Sequence, residues 1–213
     1  MANIVVKDAT GKVITKTKLT DARPYWLYDT AKFASGSAPA DTYLFQTPEG
    51  SNNKNIVDTN LKQFSTLQVG WKFVCNNIRV IIRNLAATAA DAVNLIKDAN
   101  NILTNGVLSF LREGDIEIWR APLVIFGAGC GISGSLSTAD STTDTELAIV
   151  NNGVPAVGAI LKLPIPIILV GGRTFVFKMS FKAPMGGSLS NMNADTYVWV
   201  VLEGMLSREV VGG

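Results

Sequence analysis

The hexapeptide GCGISG, residues 129–134, carries the glycine spacing of a dinucleotide-binding loop. Gly129, Gly131 and Gly134 fill the three glycine positions of G-x-G-x-x-G, and the apolar run LVIF stands shortly before them. In nucleotide-binding proteins this turn leads into a helix whose amino terminus meets the pyrophosphate. Here a Ser/Thr-rich stretch without helical periodicity follows, and no acidic ribose partner stands near Ile149. The glycines therefore predict a bend at the rim of a fold, and no nucleotide site.

Two counts narrow the remaining chemistry. The chain contains no histidine, which excludes Ser-His-Asp triads, Cys-His dyads and His-ligated zinc. It also lacks the G-x-x-x-x-G-K-[ST] pattern of a P-loop. We therefore expect no enzyme activity, no cofactor and no catalytic, cofactor-binding or metal-binding residues.

Two groups of acidic residues are candidates for chemistry. Asp140, Asp144 and Glu146 lie in a Ser/Thr-rich stretch and could ligate calcium. Their spacing lacks the alternation of a calcium loop, which favours solvated charges. The second group precedes Trp119 and consists of Glu113, Asp115 and Glu117. Strand alternation places Asp115 and Glu117 on one outward face, which is not by itself a hydrolase carboxylate pair.

Tryptophans and cysteines are the other side chains that could act directly. A sugar-stacking surface could use the tryptophans, but anchors in a core or an interface are favoured for Trp26, Trp71, Trp119 and Trp199. Cys75 and Cys130 are too few for a metal cluster. The pattern favours two inert buried thiols over a disulfide, but leaves their pairing open.

Composition indicates a protein with much contact surface. Of 213 residues, 47% are apolar and 17% are charged, against about 25% charged in ordinary soluble domains. The most apolar run, AILKLPIPIILV, contains Lys162, Pro164 and Pro166 and is too short for a spanning helix of about 20 residues. No signal peptide or lipid anchor is recognised, so we expect a soluble protein made in a cytoplasm.

Period-two alternation dominates the rest of the chain. It predicts strands at 4–6, 13–15, 42–46, 71–82 with an irregularity at Asn76–Asn77, 107–111, 116–119, 123–126, 156–163, 165–170, 174–181 and 196–206. One helix is predicted within 87–103, capped by Thr88 with Asp91 and ended at Asn105–Gly106. The fold class is therefore all-β, an antiparallel β-sandwich with one inserted helix. Residues 1–30 are expected to form an amino-terminal hairpin or arm, and residues 31–213 the sandwich domain.

Four stretches carry a resemblance to a known family. The sequence DTNLKQFSTLQVGWKFVCNNIRVIIRN resembles the start of small single jelly-roll capsid proteins of icosahedral, tailless phages, and GDIEIWRAPL, LKLPIPIIL and YVWVVLEGML are similar to its later course. The resemblance implies a jelly roll and a shell, often built around an internal lipid membrane. It also implies that the basic arm faces lipid headgroups, genome or a neighbouring subunit.

The leading hypothesis is a structural virion protein that self-assembles in the host cytoplasm into a capsid. Its partners would be copies of itself, with other capsid proteins as further candidates, and residues 1–23 would tie subunits together. The alternative is a carbohydrate-binding or receptor-binding β-sandwich of the phage adhesin kind, using exposed Trp or Tyr and the loop from Asp140 to Glu146. Assembly that depends on concentration favours the first hypothesis, and glycan binding favours the second.

Overall fold

A computed structural model describes residues 3–7, 10–18, 22–84, 89–114, 116–126, 133–136, 148–151, 162–183 and 188–208. Most of these residues are in strands. The elements in chain order are β1 (Asn3–Lys7), β2 (Val13–Lys18), β3 (Ala22–Phe33), β4 (Thr42–Leu44), β5 (Trp71–Asn84), α1 (Ala89–Asn105), β6 (Gly106–Arg112), β7 (Ile116–Pro122), a 3₁₀ helix (Leu123–Phe126), β8 (Ser133–Leu136), β9 (Ala148–Asn151), β10 (Lys162–Val170), β11 (Phe175–Phe181) and β12 (Thr196–Arg208).

Two four-stranded antiparallel sheets make up the body of the described part. One has the strand order β10-β5-β12-β3 and the other β4-β11-β6-β7, while β1 pairs with β2 and β8 with β9 in two separate hairpins. This arrangement confirms the predicted all-β antiparallel fold with an inserted helix. Across the described residues, no helix is long and apolar enough to cross a bilayer.

The core lies between the two sheets and follows from the alternation of the strands. Along β11 the residues Phe175, Phe177, Met179 and Phe181 are buried, and the residues between them are partly exposed. β12 contributes Val198, Val200 and Leu202 to the same core. Because burying one such side chain contributes roughly 1.5–3 kcal/mol, these two inner faces are the main reason that the sheets pack together.

Strand β12 occupies the centre of its sheet. It pairs with β3 from Thr196↔Phe33 to Ser207↔Ala22 and with β5 from Thr196↔Asn84 to Arg208↔Trp71. The register with β5 shifts between Glu203↔Asn77 and Gly204↔Cys75, which leaves Asn76 as a bulge. The predicted irregularity at Asn76–Asn77 is thereby confirmed.

Three sequence predictions need correction. Residues 123–126 form a 3₁₀ helix with Leu123 and Phe126 buried, not a strand. The predicted strand at 42–46 ends at Leu44, because Phe45 has a left-handed backbone with φ of 62°. The boundary expected at residue 30 falls inside β3, so residues from Ala22 onward belong to the sandwich. Residues 156–161 and the cap at Thr88 lie outside the described residues.

At the bulge, the backbone of Gly204 in β12 lies so close to β5 that it leaves no room for a side chain. A Cβ atom built there would lie 1.8 Å from the carbonyl oxygen of Val74, so the two backbones would have to separate. We expect Gly204→Ala to lower the free energy of unfolding by about 3 kcal/mol, measured by denaturant titration. Gly50→Ala is the control: its Cβ would meet nothing within 4 Å, so it would cost about 1 kcal/mol from its positive φ alone. Equal losses in the two variants would contradict the close approach.

Candidate interaction surface

The sandwich has two lateral sides, where the outer strands of its two sheets lie. The side that includes β3 is covered by a loop, and we call it the closed side. Between β4 and β5 the chain runs beside the edge of β3, where Asn60 takes the place of a neighbouring strand. Its side-chain oxygen accepts from the Tyr28 N–H at 3.0 Å, its amide nitrogen donates to the Trp26 carbonyl at 2.6 Å, and its own N–H reaches the Tyr28 carbonyl at 3.4 Å. The backbone groups of Trp26 and Tyr28, in the middle of this edge, are therefore occupied and not open to another strand.

A buried ion pair holds that loop in place. The carboxylate of Asp29 is fully buried and lies 2.6 Å from the Lys54 ammonium. It also accepts the Phe45 N–H at 2.5 Å, and Lys54 donates in addition to the Thr30 carbonyl at 2.9 Å. Phe45 and Lys54 both belong to the segment between β4 and β5, so these contacts attach the first half of that segment to β3. The pair therefore determines the path of the chain over the closed side.

The opposite side, where β7 and β10 lie, exposes apolar surface. Ile116 and Ile118 of β7 are 59% and 49% exposed, and Ile165 of β10 is 68% exposed. The neighbouring 3₁₀ helix adds Val124 and Ile125, which are also exposed. We call the surface formed by these five residues the open side. Ile118 and Ile165 line the same cleft, and apolar groups exposed together mark contact surfaces in soluble proteins.

A cleft of about 570 Å³ runs between the sheets at the open side. Its lining is largely apolar and includes Ile118, Trp119, Ile165, Ile167, Leu169 and Phe175. Arg112 also lines it, with the guanidinium over the Phe110 ring at 5.8 Å and Nη2 donating to the Ile168 carbonyl at 3.1 Å. Arg112 therefore links β6 to β10 across the cleft, and its guanidinium already contacts a carbonyl oxygen and an aromatic ring.

The two edge strands of the open side differ in what they can pair with. β10 carries Pro164 and Pro166, which cannot donate to a further strand and so block that edge. β7 carries no proline before Pro122, its last residue. Within the described residues its backbone pairs with β6 on one side and with no strand on the other. Among the described strands, β7 is therefore an unpaired edge, with one bulge at Ile118 where its register with β6 shifts.

The acidic residues expected near Trp119 are engaged in separate ion pairs. Glu117 lies 2.7 Å from Arg120, whose hydrogen bond holds the pKa of Glu117 below its usual range. Glu113 lies 3.3 Å from Arg173. Asp115 is outside the described residues. The two described members of this group, Glu113 and Glu117, are thus each paired with an arginine.

The four tryptophans are distributed over different environments. Trp71 and Trp119 are partly buried against the core, and the indole of Trp199 donates to the Val57 carbonyl at 3.1 Å. Trp26, at 56% exposure, is the most open of the four. Trp71 and Trp119 therefore lie where core anchors are expected, while the choice between an interface anchor and a sugar-stacking residue for Trp26 stays a prediction.

The glycine motif leads into a strand where a nucleotide site needs a helix. Gly134 lies in β8 and pairs with Val150 of β9 in an antiparallel hairpin. Gly129 and Gly131 are outside the described residues, as are Asp140, Asp144 and Glu146. In the part of the chain that the structure describes, no group of three or more Cys, Asp or Glu residues could hold a metal ion.

Cys75 is a buried free thiol in the core strand β5. Burial raises its pKa to about 12, and the thiol donates to the Asn77 carbonyl at 3.1 Å. A thiol with so high a pKa stays protonated at neutral pH and is a poor nucleophile. Cys130 lies outside the described residues, so the expectation about its pairing with Cys75 stays a prediction.

Comparison of the chain with protein-family models, curated proteins and solved structures finds no significant match.

Sequence reasoning missed the two features that distinguish the sides. Asp29 stands among the core-facing positions of β3, between Leu27 and Ala31, and a lone acid at an inward position is a signal for a buried partner. Lys54 is the partner, but the sequence offers several lysines and no rule to select it. The free edge of β7 has no local signal, since an edge is defined by which strands are absent beside it.

Removing one member of the buried pair should destabilise the protein strongly. Lys54→Met leaves the Asp29 carboxylate buried without its cation, and we expect a loss of about 3 kcal/mol in the free energy of unfolding. Adding Asp29→Asn removes the stranded charge while keeping an acceptor for the Phe45 N–H, and should recover at least about 1 kcal/mol of the loss. Denaturant titration measures both. A loss below about 0.5 kcal/mol for Lys54→Met would show that the pair does not secure the loop.

The Cys75 thiol should be protected from alkylation. In a Cys130→Ser variant, iodoacetamide at pH 8 should label Cys75 at least about 100-fold more slowly in the native protein than in urea, because the native thiol is both buried and protonated. Mass spectrometry follows the labelling. A native rate close to the unfolded rate would overturn the assignment of Cys75 as inert.

Proposed function

We propose that this chain is a structural shell protein whose copies assemble into a capsid, and that its sandwich is a jelly roll. The observation that carries the proposal is the strand order. Counted along the chain, the eight sandwich strands are β3, β4, β5, β6, β7, β10, β11 and β12. One sheet then has the order sixth-third-eighth-first, and the other second-seventh-fourth-fifth.

This order supports a jelly roll for a topological reason. The first strand lies beside the eighth, the second beside the seventh, and the third beside both the sixth and the eighth. Such an arrangement results when a long antiparallel ribbon is wrapped into two interleaved Greek keys. Helix α1 is inserted between the third and fourth strands, and the hairpin β8–β9 between the fifth and sixth. Viral capsid proteins and lectins are the common users of this architecture.

Of these two functions, the surface of the protein favours assembly over carbohydrate binding. Charged residues are scarce over the whole chain, and the open side exposes five aliphatic side chains next to a cleft. A lectin-like site needs aromatic rings and polar groups that converge on one place. The four tryptophans are instead dispersed, so we place the carbohydrate-binding or receptor-binding function second. Trp26, which is largely exposed, is the residue on which that second function would depend.

Solution mass is the test of the proposal. Light scattering of the purified chain over a wide concentration range should show masses that rise well above the 22.7 kDa of one copy, because the apolar open side is covered on association. Negative-stain images of the same samples should show rings, sheets or closed shells. A 22.7 kDa monomer at every concentration, combined with glycan binding that is lost in Trp26→Ala, would replace the shell function with the binding-module function.

A further inference from the structure

The amino-terminal hairpin is a two-stranded sheet of its own. β1 and β2 pair from Asn3↔Lys18 to Lys7↔Val13. In the described part of the chain they hydrogen-bond to neither of the four-stranded sheets. An isolated two-stranded hairpin is marginally stable in water and gains independent stability from a third strand or a packed face. The hairpin therefore needs a surface to pair with.

The four outer edges of the sandwich leave one place for such a strand. The edge of β3 is occupied by Asn60, and β10 is interrupted by Pro164 and Pro166. β4 is only three residues long. β7 has seven residues, and two of them, Ile116 and Ile118, present exposed aliphatic side chains. β7 is thus the longest edge among the described strands that no proline or loop obstructs.

The charges of the hairpin and of β7 are complementary. The hairpin sequence carries Lys7, Lys12, Lys16 and Lys18 against the single acid Asp8. The turn into β7 and the start of that strand carry Glu113, Asp115 and Glu117. Glu113 and Glu117 form exposed ion pairs with Arg173 and Arg120, and such exposed pairs contribute little and can exchange partners. Opposite charges on neighbouring strands favour pairing, and they also select one partner among several edges.

We propose that the hairpin β1–β2 of one copy adds to the free edge of β7 in a second copy and extends the sheet β4-β11-β6-β7. This inference rests on the proposed function, since it names the contact through which copies of the chain assemble. Main-chain hydrogen bonds along β7 supply the affinity, as in other cases of strand addition. Ile116 and Ile118 are covered by the added strands, and the lysines lie near the acidic turn.

The contact has a defined symmetry. Its two surfaces, hairpin and edge, are different, so each copy donates its hairpin to one neighbour and accepts a hairpin from another. Such head-to-tail contacts close into rings or continue as filaments. A reciprocal exchange between two copies is the smallest closed form. Every subunit of the assembly then carries both a donor and an acceptor.

The test uses full-length variants that disable one surface at a time. Ile116→Lys places a charge on the β7 edge, which opposes strand addition, and Ile118→Lys is a second variant of the same edge. Val5→Pro interrupts β1, where Val5 pairs with Lys16, and so disables the donor. Ile56→Lys is the matched control, because Ile56 is 52% exposed against 59% for Ile116 and lies in the loop of the closed side. Circular dichroism melts establish that each variant is folded.

We expect the edge variants and Val5→Pro each to raise the concentration of half-maximal assembly at least about tenfold, equivalent to roughly 1.4 kcal/mol. Ile56→Lys should assemble like the unaltered chain. A one-to-one mixture of Val5→Pro and Ile116→Lys should form a complex of two copies that grows no further, since one partner retains the edge and the other the hairpin. Light scattering and native mass spectrometry distinguish these species.

The outcomes separate this inference from the proposed function. If the unaltered chain stays monomeric at all concentrations, both are wrong. If the unaltered chain assembles and a folded Ile116→Lys or Ile118→Lys variant assembles equally well, the shell function stands and the strand addition is wrong. The same conclusion follows if Val5→Pro has no effect, or if the two impaired variants do not combine when mixed.

Discussion

The placement of β12 between β3 and β5 is the constraint on which the remaining structure depends. Its two ladders run for nearly the full length of both neighbours. The inward side chains Val198, Val200 and Leu202 face the phenylalanine row of β11 across the core. The ladder between β12 and β3 is unbroken, so the irregularity lies wholly in the ladder between β12 and β5. The bulge at Asn76 and the bare backbone at Gly204 are how the chain absorbs it.

The two sides of the sandwich differ in how their outer strands are covered. On one side the segment between β4 and β5 runs along β3, and the buried contact between Asp29 and Lys54 secures it there. On the other side β7 and β10 end their sheets with isoleucines exposed, and prolines protect β10 alone. An exposed edge carries a risk of aggregation, and the proposed strand addition would cover the edge of β7.

Much of the fold was accessible from the sequence, because alternation records which residues face a core. The rows Phe175–Phe181 and Thr196–Arg208 alternate clearly, and the helix Ala89–Asn105 lies where spacing and the Asn105–Gly106 stop predict it. The predicted arm, residues 1–30, includes most of β3, and Asp29 at an inward position of that strand weakens the apolar alternation that would reveal it. The 3₁₀ helix Leu123–Phe126 is apolar throughout, and an apolar run of four residues does not distinguish a strand from a turn of helix. The open side could not be predicted, since strand order is set by pairings between distant segments.

The central position of β12 also has a consequence for synthesis. β3 and β5 leave the ribosome well before it, with residues 85–195 still to be translated. At bacterial and eukaryotic elongation rates of about 5–20 residues per second, the nascent chain holds these two strands without their shared partner for roughly 5–20 seconds. Until then the sheet β10-β5-β12-β3 lacks its central strand, and the core between the two sheets cannot close. The chain therefore completes its sandwich only at a late moment of translation.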